Sequence, residues 1–320
     1  MSQKSVLITG AAGFIGSHLC ERFVDDGYFV IGIDNFITGN PDNLADLMRH
    51  GSFEFRRADA CVVTEDEIGT KCDIVMHMAG IASPVDYVAF PIETLKVGST
   101  ATFNMLDLAN KWGSKFVLAS TSEVYGNPLV HPQVESYFGN VNPIGPRSMY
   151  DESKRFSEAL TTSYKNKFGL DTKIIRIFNT YGPRMRPNDG RVVPNFIVQA
   201  LNNTPLTVYG TGLQTRSLCY VSDLVNGIVQ ISNSDFRGVV NLGNPNEMTV
   251  IQIATAIRDL VGSSSEIVFM PASPDDPERR NPDISIAHTH FNWLPKIALE
   301  DGLKFTIEYF ANLATNKQDS

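Results

Sequence analysis

The feature that most constrains the fold is a short β-branched run that leads through a glycine-rich turn into a helical pattern. Residues 5–9 form the run, and their character is typical of a strand buried on both faces of a parallel sheet. Gly10, Gly13 and Gly16 follow with the spacing GxxGxxG rather than GxGxxG, and residues 17–26 have helical periodicity. Glycines between a strand and a helix permit a tight turn and a close approach of the backbone to a pyrophosphate. The unit therefore predicts a dinucleotide-binding turn.

The second predicted strand indicates which dinucleotide binds. It covers residues 29–33 and ends in Asp34, at the expected distance from the glycines. A carboxylate there accepts hydrogen bonds from the 2'-OH of an adenosine ribose and repels a 2'-phosphate, so NAD is favoured over NADP. A third strand, 53–57, leads to Asp59, a candidate contact for the adenine. The residues predicted to contact NAD are Gly10, Gly13, Phe14, Ile15, Gly16, Asp34, Asn35, Asp59, Ala60, Met78, Ala79, Gly80, Tyr150 and Lys154.

Strands and helices alternate through the first half of the chain. Further strands are predicted at 73–77 and 116–120, with a helix at 94–112 between them. This alternation specifies an α/β fold with a Rossmann-type doubly wound parallel sheet. Beyond residue 179, turn-rich pieces separate short helices and strands, which indicates a smaller, interleaved substrate-binding lobe. We expect an NAD-binding domain of residues 1–178 with 217–242, and a substrate domain of 179–216 with 243–320.

Three residues form a candidate proton relay. Tyr150 and Lys154 are spaced i to i+4 on one helix face, and Thr121 lies at the end of the fifth strand. An ammonium near a phenol favours the phenolate, so Lys154 is expected to lower the pKa of Tyr150 from about 10. Thr121 would hydrogen-bond the phenol and a substrate hydroxyl while hydride leaves the carbon. Alone, such a pair is more often an aromatic residue beside a solvated lysine. The dinucleotide turn favours the catalytic interpretation.

Charge and cysteine content exclude several classes of partner. The formal net charge of −8 gives no basic face for nucleic acid or for an anionic membrane. Four scattered cysteines lack metal-ligand spacing, so no metal is predicted and free thiols in a reducing compartment are expected. The chain runs almost directly into its first strand, which leaves no room for a signal peptide, and no apolar run has membrane-spanning length. We expect a soluble cytoplasmic protein.

With these residues in place, the chain resembles the extended short-chain dehydrogenase/reductase superfamily, whose members act on nucleotide sugars with tightly held NAD. Within it, the chain is similar to the UDP-glucuronate decarboxylases, or UDP-xylose synthases. Literal matches of this length are far more specific than any single triad. The resembling segments are 120–126, 131–133, 142–147, 150–152 with 154–155, 176–185, 189–193, 205–210, 214–217, and Asp275-Asp276-Pro277 running on to Arg280 and 282–284.

The residues after Thr121 distinguish among these relatives. An Asp-Glu pair follows the threonine in the sugar-nucleotide dehydratases, and the epimerases lack the glutamate; here Ser122 and Glu123 follow, as in the decarboxylases. Ser122 cannot deliver an acid proton as a carboxyl group can, which disfavours dehydration. The resemblance implies oxidation of UDP-glucuronate at C4, loss of CO2 from the β-keto acid, and re-reduction to UDP-xylose by the same cofactor. Glu123 would either repel the substrate carboxylate or stay protonated and be able to donate its proton.

The resemblance also implies the remaining site residues and an assembly. Arg280 would clamp the substrate carboxylate or the diphosphate, and Arg216 resembles the superfamily's diphosphate arginine. Two helices of each subunit, at 94–112 and 150–168, would form a four-helix bundle in a homodimer. The implied catalytic residues are Thr121, Ser122, Glu123, Tyr150, Lys154 and Arg280, and the implied UDP-sugar contacts are Glu123, Asn179, Arg191, Tyr209, Gln214, Arg216 and Arg280.

Four positions depart from the decarboxylase pattern. Those enzymes usually carry a proline and a small residue where Gly80 and Ile81 stand, an asparagine at Gly98 and a glycine at Ser153. Gly98 costs about 1 kcal/mol of helix propensity relative to alanine, which indicates altered local geometry. The alternatives are a UDP-sugar 4-epimerase, a decarboxylase that releases the 4-keto pentose, and a non-catalytic NAD-binding protein. An intact proton relay argues against the last.

Overall fold

The computed structural model describes residues 3–271 and 279–316, so the predicted Asp275-Asp276-Pro277 motif lies outside the described residues. In chain order the strands are β1 (Ser5–Thr9), β2 (Phe29–Asp34), β3 (Phe53–Arg57), β4 (Ile74–His77), β5 (Lys115–Thr121), β6 (Thr172–Ile177), β7 (Thr180–Tyr181), β8 (Leu206–Tyr209), β9 (Thr215–Ser217), β10 (Cys219–Tyr220), β11 (Val239–Leu242), β12 (Glu247–Thr249) and β13 (Ile267–Met270). The helices are α1 (Phe14–Asp25), α2 (Glu65–Ile68), α3 (Pro84–Ala89), α4 (Pro91–Lys96), α5 (Thr102–Trp112), α6 (Ser148–Phe168), α7 (Val192–Leu201), α8 (Val221–Asn233), α9 (Val250–Val261), α10 (Ser285–Phe291) and α11 (Leu299–Asn316).

One parallel sheet of seven strands organises the larger lobe. Its strand order is β11-β6-β5-β4-β1-β2-β3, with the direction of progression reversing between β1 and β4. Ligands of open α/β sheets bind outside the carboxyl ends of the strands at such a reversal. Thr9 and His77 pair at these ends, so the turn after β1 and the loop after β4 both face that crevice. The predicted Rossmann-type sheet is confirmed.

Helices cover both faces of this sheet because successive strand residues point to opposite sides. Val6 and Ile8 pack with α1 and α8 in one apolar core, which includes Phe23 and Leu224. Leu7 points the other way, into a second core with residues of α5. Strands buried on both faces are apolar without alternation, which is why the run at residues 5–9 predicted this environment.

The smaller lobe has its own core, built from α7, α9 and α11 with the paired strands β8 and β13. Two further pairs of short strands, β7 with β10 and β9 with β12, form separate two-stranded sheets. Ile284, Ala287 and Trp293, which the sequence assigned to the substrate domain, pack in the α1–α8 core of the larger lobe. We therefore propose the predicted domain division with residues 284–293 moved to the NAD-binding domain.

Three helix boundaries differ from the predicted ones. α1 begins at Phe14 rather than at 17, because the glycine turn itself forms the helix start. The single helix expected at 94–112 is two helices joined by a π-helical turn, Val97–Ala101, which contains Gly98. α6 begins at Ser148, two residues before Tyr150. Within the described ranges, no helix combines the length and apolar character needed to cross a bilayer.

Candidate active site

The turn after β1 has the backbone shape that a bound dinucleotide requires. Gly10 has a left-handed φ of 71°, and a Cβ there would lie 2.8 Å from the Ala79 Cα. A Cβ at Gly16 would lie 2.0 Å from the Gly10 carbonyl oxygen, so side chains are excluded from this contact. α1 follows Gly13 without a side-chain cap, which leaves N–H groups of its first turn available to an anion. This turn therefore suits a diphosphate.

Asp34 lies at the end of β2, beside the glycine turn. Its Oδ2 accepts a hydrogen bond from the Ala12 N–H at 3.0 Å, and its Oδ1 accepts one from the Phe36 N–H at 2.8 Å. Burial raises the pKa of Asp34, while these N–H groups act in the opposite direction. A carboxylate has about four acceptor positions, so both oxygens retain capacity for ribose hydroxyls.

A cavity of about 420 Å³ runs from the glycine turn past Asp34 to the loop after β4. Its shape and lining fit NAD: a diphosphate turn, a ribose carboxylate and small residues that let the cofactor approach the backbone. Tyr150 and Lys154 are not part of its wall. Twelve residues predicted to contact the cofactor line it: Gly10, Gly13, Phe14, Ile15, Gly16, Asp34, Asn35, Asp59, Ala60, Met78, Ala79 and Gly80.

The segment after β7 also lines this cavity, and sequence reasoning missed most of it. Arg184 pairs with Glu21 of α1 at 2.7 Å, and Arg186 pairs with Asp86 of α3. The Ser83 hydroxyl donates to the Asp189 carbonyl at 2.5 Å. These contacts tie the segment to the larger lobe beside the cofactor cavity. Arg184 and Asp189 fall in segments that resemble the decarboxylases, whereas Arg186 lies between two of those segments and had no sequence signal.

Tyr150 is buried at the site, 6% exposed, with its ring stacked on Tyr87 at a centroid distance of 5.3 Å. The Thr121 hydroxyl lies near the Tyr150 phenol and favours its ionisation, and the predicted hydrogen bond between them stays a prediction. The expected lowering of the phenol pKa is wrong. Burial raises the pKa of Tyr150 to about 12, and the influence of Thr121 offsets only part of that rise. Desolvation penalises the phenolate more than the neighbouring groups favour it.

Lys154 lies on the same face of α6 but is directed at β5. Its Nζ donates to the Ala119 carbonyl oxygen at 2.9 Å, and burial lowers the pKa of Lys154 to about 8. A Cβ on Gly80 would lie 2.9 Å from this Nζ, so Lys154 sits directly under the cofactor loop. His77 packs beneath the same loop. Burial, with the Lys154 charge nearby, lowers its pKa to about 3, so it is neutral and unsuited to acid-base work.

Glu123 lies in a 3-10 turn, Ser122–Tyr125, that follows β5. Its Oε2 accepts from Arg147 at 2.7 Å and from Arg280 at 2.9 Å. Burial opposes ionisation, but the guanidinium groups of Arg280, Arg147 and Arg216 outweigh it and hold the pKa of Glu123 below its usual value. Of the two predicted states of Glu123, the ionised one is favoured. Sequence reasoning gave Arg147 no role, although it stands in a resembling segment three residues before Tyr150.

Arg280 fixes the backbone of this turn as well as Glu123. It is 2% exposed, and its NH1 group donates to the Ser122 carbonyl at 2.9 Å and to the Gly126 carbonyl at 3.0 Å. Ser122 is therefore held through its backbone. Arg216, on β9, donates to the Thr215 carbonyl at 2.8 Å and lies near enough to act electrostatically on Glu123 and Arg280.

Of the four remaining residues predicted to contact the substrate, one lines the cofactor cavity and three lie outside it. Arg191, at the start of α7, forms a two-point ion pair with Asp189, lines the cofactor cavity and acts electrostatically on Tyr150. Asn179, Tyr209 and Gln214 lie outside that cavity. Tyr209 is half exposed at the end of β8, and its carbonyl accepts from the Gln214 amide at 2.7 Å.

Two of the departures from the decarboxylase pattern lie against each other. A Cβ on Gly98 would lie 2.5 Å from the Ser153 Cβ and 2.8 Å from the Ser153 carbonyl oxygen. The Gly98 carbonyl accepts from the Ser157 hydroxyl at 2.6 Å and from the Thr102 hydroxyl at 2.9 Å. These donors satisfy a carbonyl of the π-helical turn. The closeness of the turn to α6 thus depends on a glycine at position 98.

The arrangement combines a deep dinucleotide cavity with a buried phenol, a threonine hydroxyl and an arginine-held carboxylate. Thr121, Glu123 and Tyr150 lie within electrostatic reach of one another at the end of β5. Such a set can remove and return a proton at a substrate alcohol while a neighbouring charged group is handled by Glu123 and its arginines.

Comparisons with known proteins agree with this geometry. Residues 6–243 match the NAD dependent epimerase/dehydratase family. The chain is 50% identical over 308 residues to UDP-glucuronic acid decarboxylase 1 of Xenopus tropicalis, which covers 96% of this chain and 72% of that protein. It is 48% identical over 310 residues to UDP-glucuronic acid decarboxylase 6 of Arabidopsis thaliana, with 97% and 89% covered.

Solved structures of similar fold include two epimerases. UDP-glucuronic acid 4-epimerase of Bacillus cereus, in complex with UDP-glucuronic acid and NAD, has a TM-score of 0.87 at 30% identity, covering 97% of this chain and 99% of that one. UDP-glucose 4-epimerase of Thermotoga maritima, with UDP-glucose, has a TM-score of 0.88 at 28% identity, again covering 97% and 99%.

Proposed function

The chain belongs to the NAD dependent epimerase/dehydratase family, and we propose that it decarboxylates UDP-glucuronate to UDP-xylose with NAD as a cofactor that is regenerated in each turnover. The observation that carries this proposal is Glu123, an ionised carboxylate held by Arg147 and Arg280 beside Tyr150. Relatives about half identical over nearly the whole chain carry the decarboxylase name, which supports the same reaction.

The proton relay acts at the C4 hydroxyl. Bound NAD supplies a hydride acceptor and a positively charged ring. Tyr150 accepts the proton of the C4 hydroxyl, and Thr121, which lies near the phenol, is the relay between them. Tyr150 and Thr121 then stabilise the negative charge that develops on the C4 oxygen. Burial is the main reason that the pKa of Tyr150 is raised to about 12, so the phenolate requires positive charge in the filled site. Lys154 contributes such a charge from beneath the cofactor loop.

Glu123 acts on the substrate carboxyl group. The ketone formed at C4 is β to that group, so its electrons can move onto the C4 oxygen as CO2 departs. An ionised Glu123 repels a substrate carboxylate, and loss of CO2 removes the repelled charge. Arg147 and Arg280 keep the ground state bound despite this repulsion.

A second candidate is a UDP-sugar 4-epimerase, favoured by the resemblance to the Bacillus cereus enzyme. A decarboxylase that releases the 4-keto pentose is the third. The test is incubation with UDP-glucuronate, with and without added NAD, followed by mass measurement of the product. Loss of the mass of CO2 together with regain of the hydride supports the proposal. An unchanged mass favours the epimerase, and a product two hydrogens lighter than UDP-xylose favours release of the ketone.

The role of Tyr150 is tested by Tyr150→Phe. We expect turnover to fall by about 10²-fold or more, because the proton relay is lost, with UDP binding nearly intact. Tyr164→Phe is the matched control, since Tyr164 lies on the same helix and its hydroxyl pairs with Asp107 away from the site. Wild-type turnover in Tyr150→Phe would refute the assignment of the base.

We also propose a homodimer in the cytoplasm. Apolar side chains on the helices expected at the interface are exposed: Leu95 on α4, Phe103 on α5 and Phe156 on α6. Phe103 and Phe156 lie 6.1 Å apart between ring centroids, so they form one patch across two helices. All four cysteines are free, in keeping with a reducing compartment.

A further inference from the structure

The proposed decarboxylation consumes a proton that the Tyr150 relay does not supply. When CO2 leaves, the electron pair of the C5–carboxyl bond enters an enolate that joins C5, C4 and the C4 oxygen. A new C5–H bond must then form. Tyr150 takes one proton from the C4 hydroxyl and gives it back when the ketone is reduced, so its balance is zero. The site therefore needs a second acid.

The groups already assigned are poor donors for this step. Glu123 is held ionised by its arginines. Arg147 and Arg280 are committed to Glu123, and a guanidinium does not lose a proton in a protein. The Lys154 ammonium donates a hydrogen bond to the Ala119 carbonyl oxygen beneath the cofactor loop. A different buried group is required.

Asp151 meets this requirement by its position. It follows Tyr150 on α6, is 6% exposed, and its Oδ1 is buried and accepts no hydrogen bond from any residue in the described ranges. It lies one helical turn after Arg147, on the same face of α6. This brings it toward the cluster that Glu123 forms with Arg147 and Arg280, called the Glu123 cluster below. A buried carboxyl oxygen without a partner is costly in the ionised state and is available to a substrate or a water.

The charges around Asp151 keep its proton in place. Glu123, from the turn after β5, and Glu152, its neighbour on α6, disfavour ionisation, whereas Arg147 and Arg280 favour it. Tyr87 on α3 and Tyr150 on α6 also interact with it, and both are neutral phenols with raised pKa values. Burial is the largest effect, and with Glu123 it raises the pKa of Asp151 to about 7.

We propose that Asp151 is the acid that protonates C5, directly or across one water molecule. The Asp151 carboxyl gives its proton to the enolate carbon, becomes a carboxylate, and is reprotonated from solvent. This inference rests on the proposed decarboxylation. The charge of the substrate determines when Asp151 gives up its proton. The substrate carboxylate adds negative charge to the Glu123 cluster and favours the protonated form of Asp151, and its loss as CO2 makes that proton available.

The test is a single turnover of NAD-loaded enzyme with UDP-glucuronate, followed by the absorbance of reduced nicotinamide and by release of CO2. In Asp151→Asn we expect the absorbance to rise and CO2 to leave in the first turnover as in wild type. The decay of the absorbance should slow by about 10²-fold, since hydride return must await protonation at C5. Glu308→Gln is the control, because Glu308 is an exposed carboxylate on α11 and is not among the charges that act on Asp151. It should decay like wild type.

Two outcomes separate failure of this inference from failure of the proposed function. A wild-type enzyme that releases no CO2 overturns both. Normal CO2 release with normal decay in Asp151→Asn overturns the inference alone and leaves water or another group as the donor. If that variant does not fold, wild type decides: the decay should slow as pH rises through about 7, and the carboxyl NMR signal of Asp151 should titrate near the same value. A decay independent of pH, or ordinary titration near 4, overturns the proposal.

Discussion

Replacing Gly98 by alanine, which adds one methyl group, should have a large effect on the active site. An alanine Cβ there would lie 2.5 Å from the Ser153 Cβ, against an ordinary carbon–carbon separation of about 3.5–4.0 Å. The Ser153 carbonyl oxygen and carbon, at 2.8 and 2.9 Å, are backbone atoms of α6, so the helix itself must move by about 1 Å. Because α6 carries Tyr150 and Lys154, the displacement reaches the proton relay.

The magnitudes for Gly98→Ala follow from two opposing terms. Overpacking costs about 1–3 kcal/mol, and replacing a helical glycine by alanine recovers about 1 kcal/mol. The free energy of unfolding should therefore fall by only about 0–2 kcal/mol. Turnover should fall far more, by about 10²-fold, since a shift of about 1 Å misaligns reacting groups to that extent. Denaturant unfolding and steady-state turnover measure the two effects.

A double variant and a control make this reasoning falsifiable. Adding Ser153→Gly removes the shortest contact and should restore part of the turnover, with a coupling of about 0.5–3 kcal/mol in a double-mutant cycle. Gly51→Ala is the control, because a Cβ there meets nothing within 4 Å. If Gly98→Ala behaves like Gly51→Ala, or if Ser153→Gly gives no coupling, then the contact does not position α6.

Two further predictions concern assembly and pH. Phe156→Glu should convert a homodimer to monomers in light scattering, because a charge enters the exposed Phe103–Phe156 patch, whereas Glu152→Gln should not; an unchanged mass would exclude this face. Burial lowers the pKa of His77 to about 3, so the unfolded chain binds a proton first as pH falls through about 6.5 and stability is lost. From pH 7 to pH 5 this costs about 2 kcal/mol of unfolding free energy, so the loss measured in denaturant titrations should be smaller by about that amount in His77→Gln, which keeps the similar contribution of His18; an equal loss in both proteins would contradict the assignment.

The sequence predicted those parts of the fold that depend on local pattern. The buried run at β1, the glycine turn and Asp34 are each recognisable over a few residues, since strand burial, left-handed backbone and strand-end position have direct sequence signals. The π-helical turn at Gly98 was indicated only as an irregularity, because its stabilising donors, Thr102 and Ser157, come from two different helices.

The errors at the site arose from tertiary burial. The spacing of Tyr150 and Lys154 is correct, but spacing does not tell that Tyr87 and Ile81 enclose the phenol in an apolar cluster. That enclosure raises the pKa of Tyr150, opposite to the expectation. Likewise, Glu123 is 157 positions from Arg280 in the chain, so no local pattern shows that the two form an ion pair.

The site separates two buried carboxyl groups by their surroundings. The guanidinium groups of Arg147 and Arg280 form ion pairs with Glu123 and hold it ionised. Asp151 instead has a buried oxygen without a hydrogen-bond partner among the described residues, and its pKa is raised. Groups of the same chemistry whose pKa values are pushed apart can divide the work of repelling charge and donating protons. A 4-epimerase has no net proton to supply, whereas a decarboxylase consumes one in every turnover. A protonated Asp151 beside an ionised Glu123 is therefore the charge arrangement that decarboxylation needs and epimerisation does not.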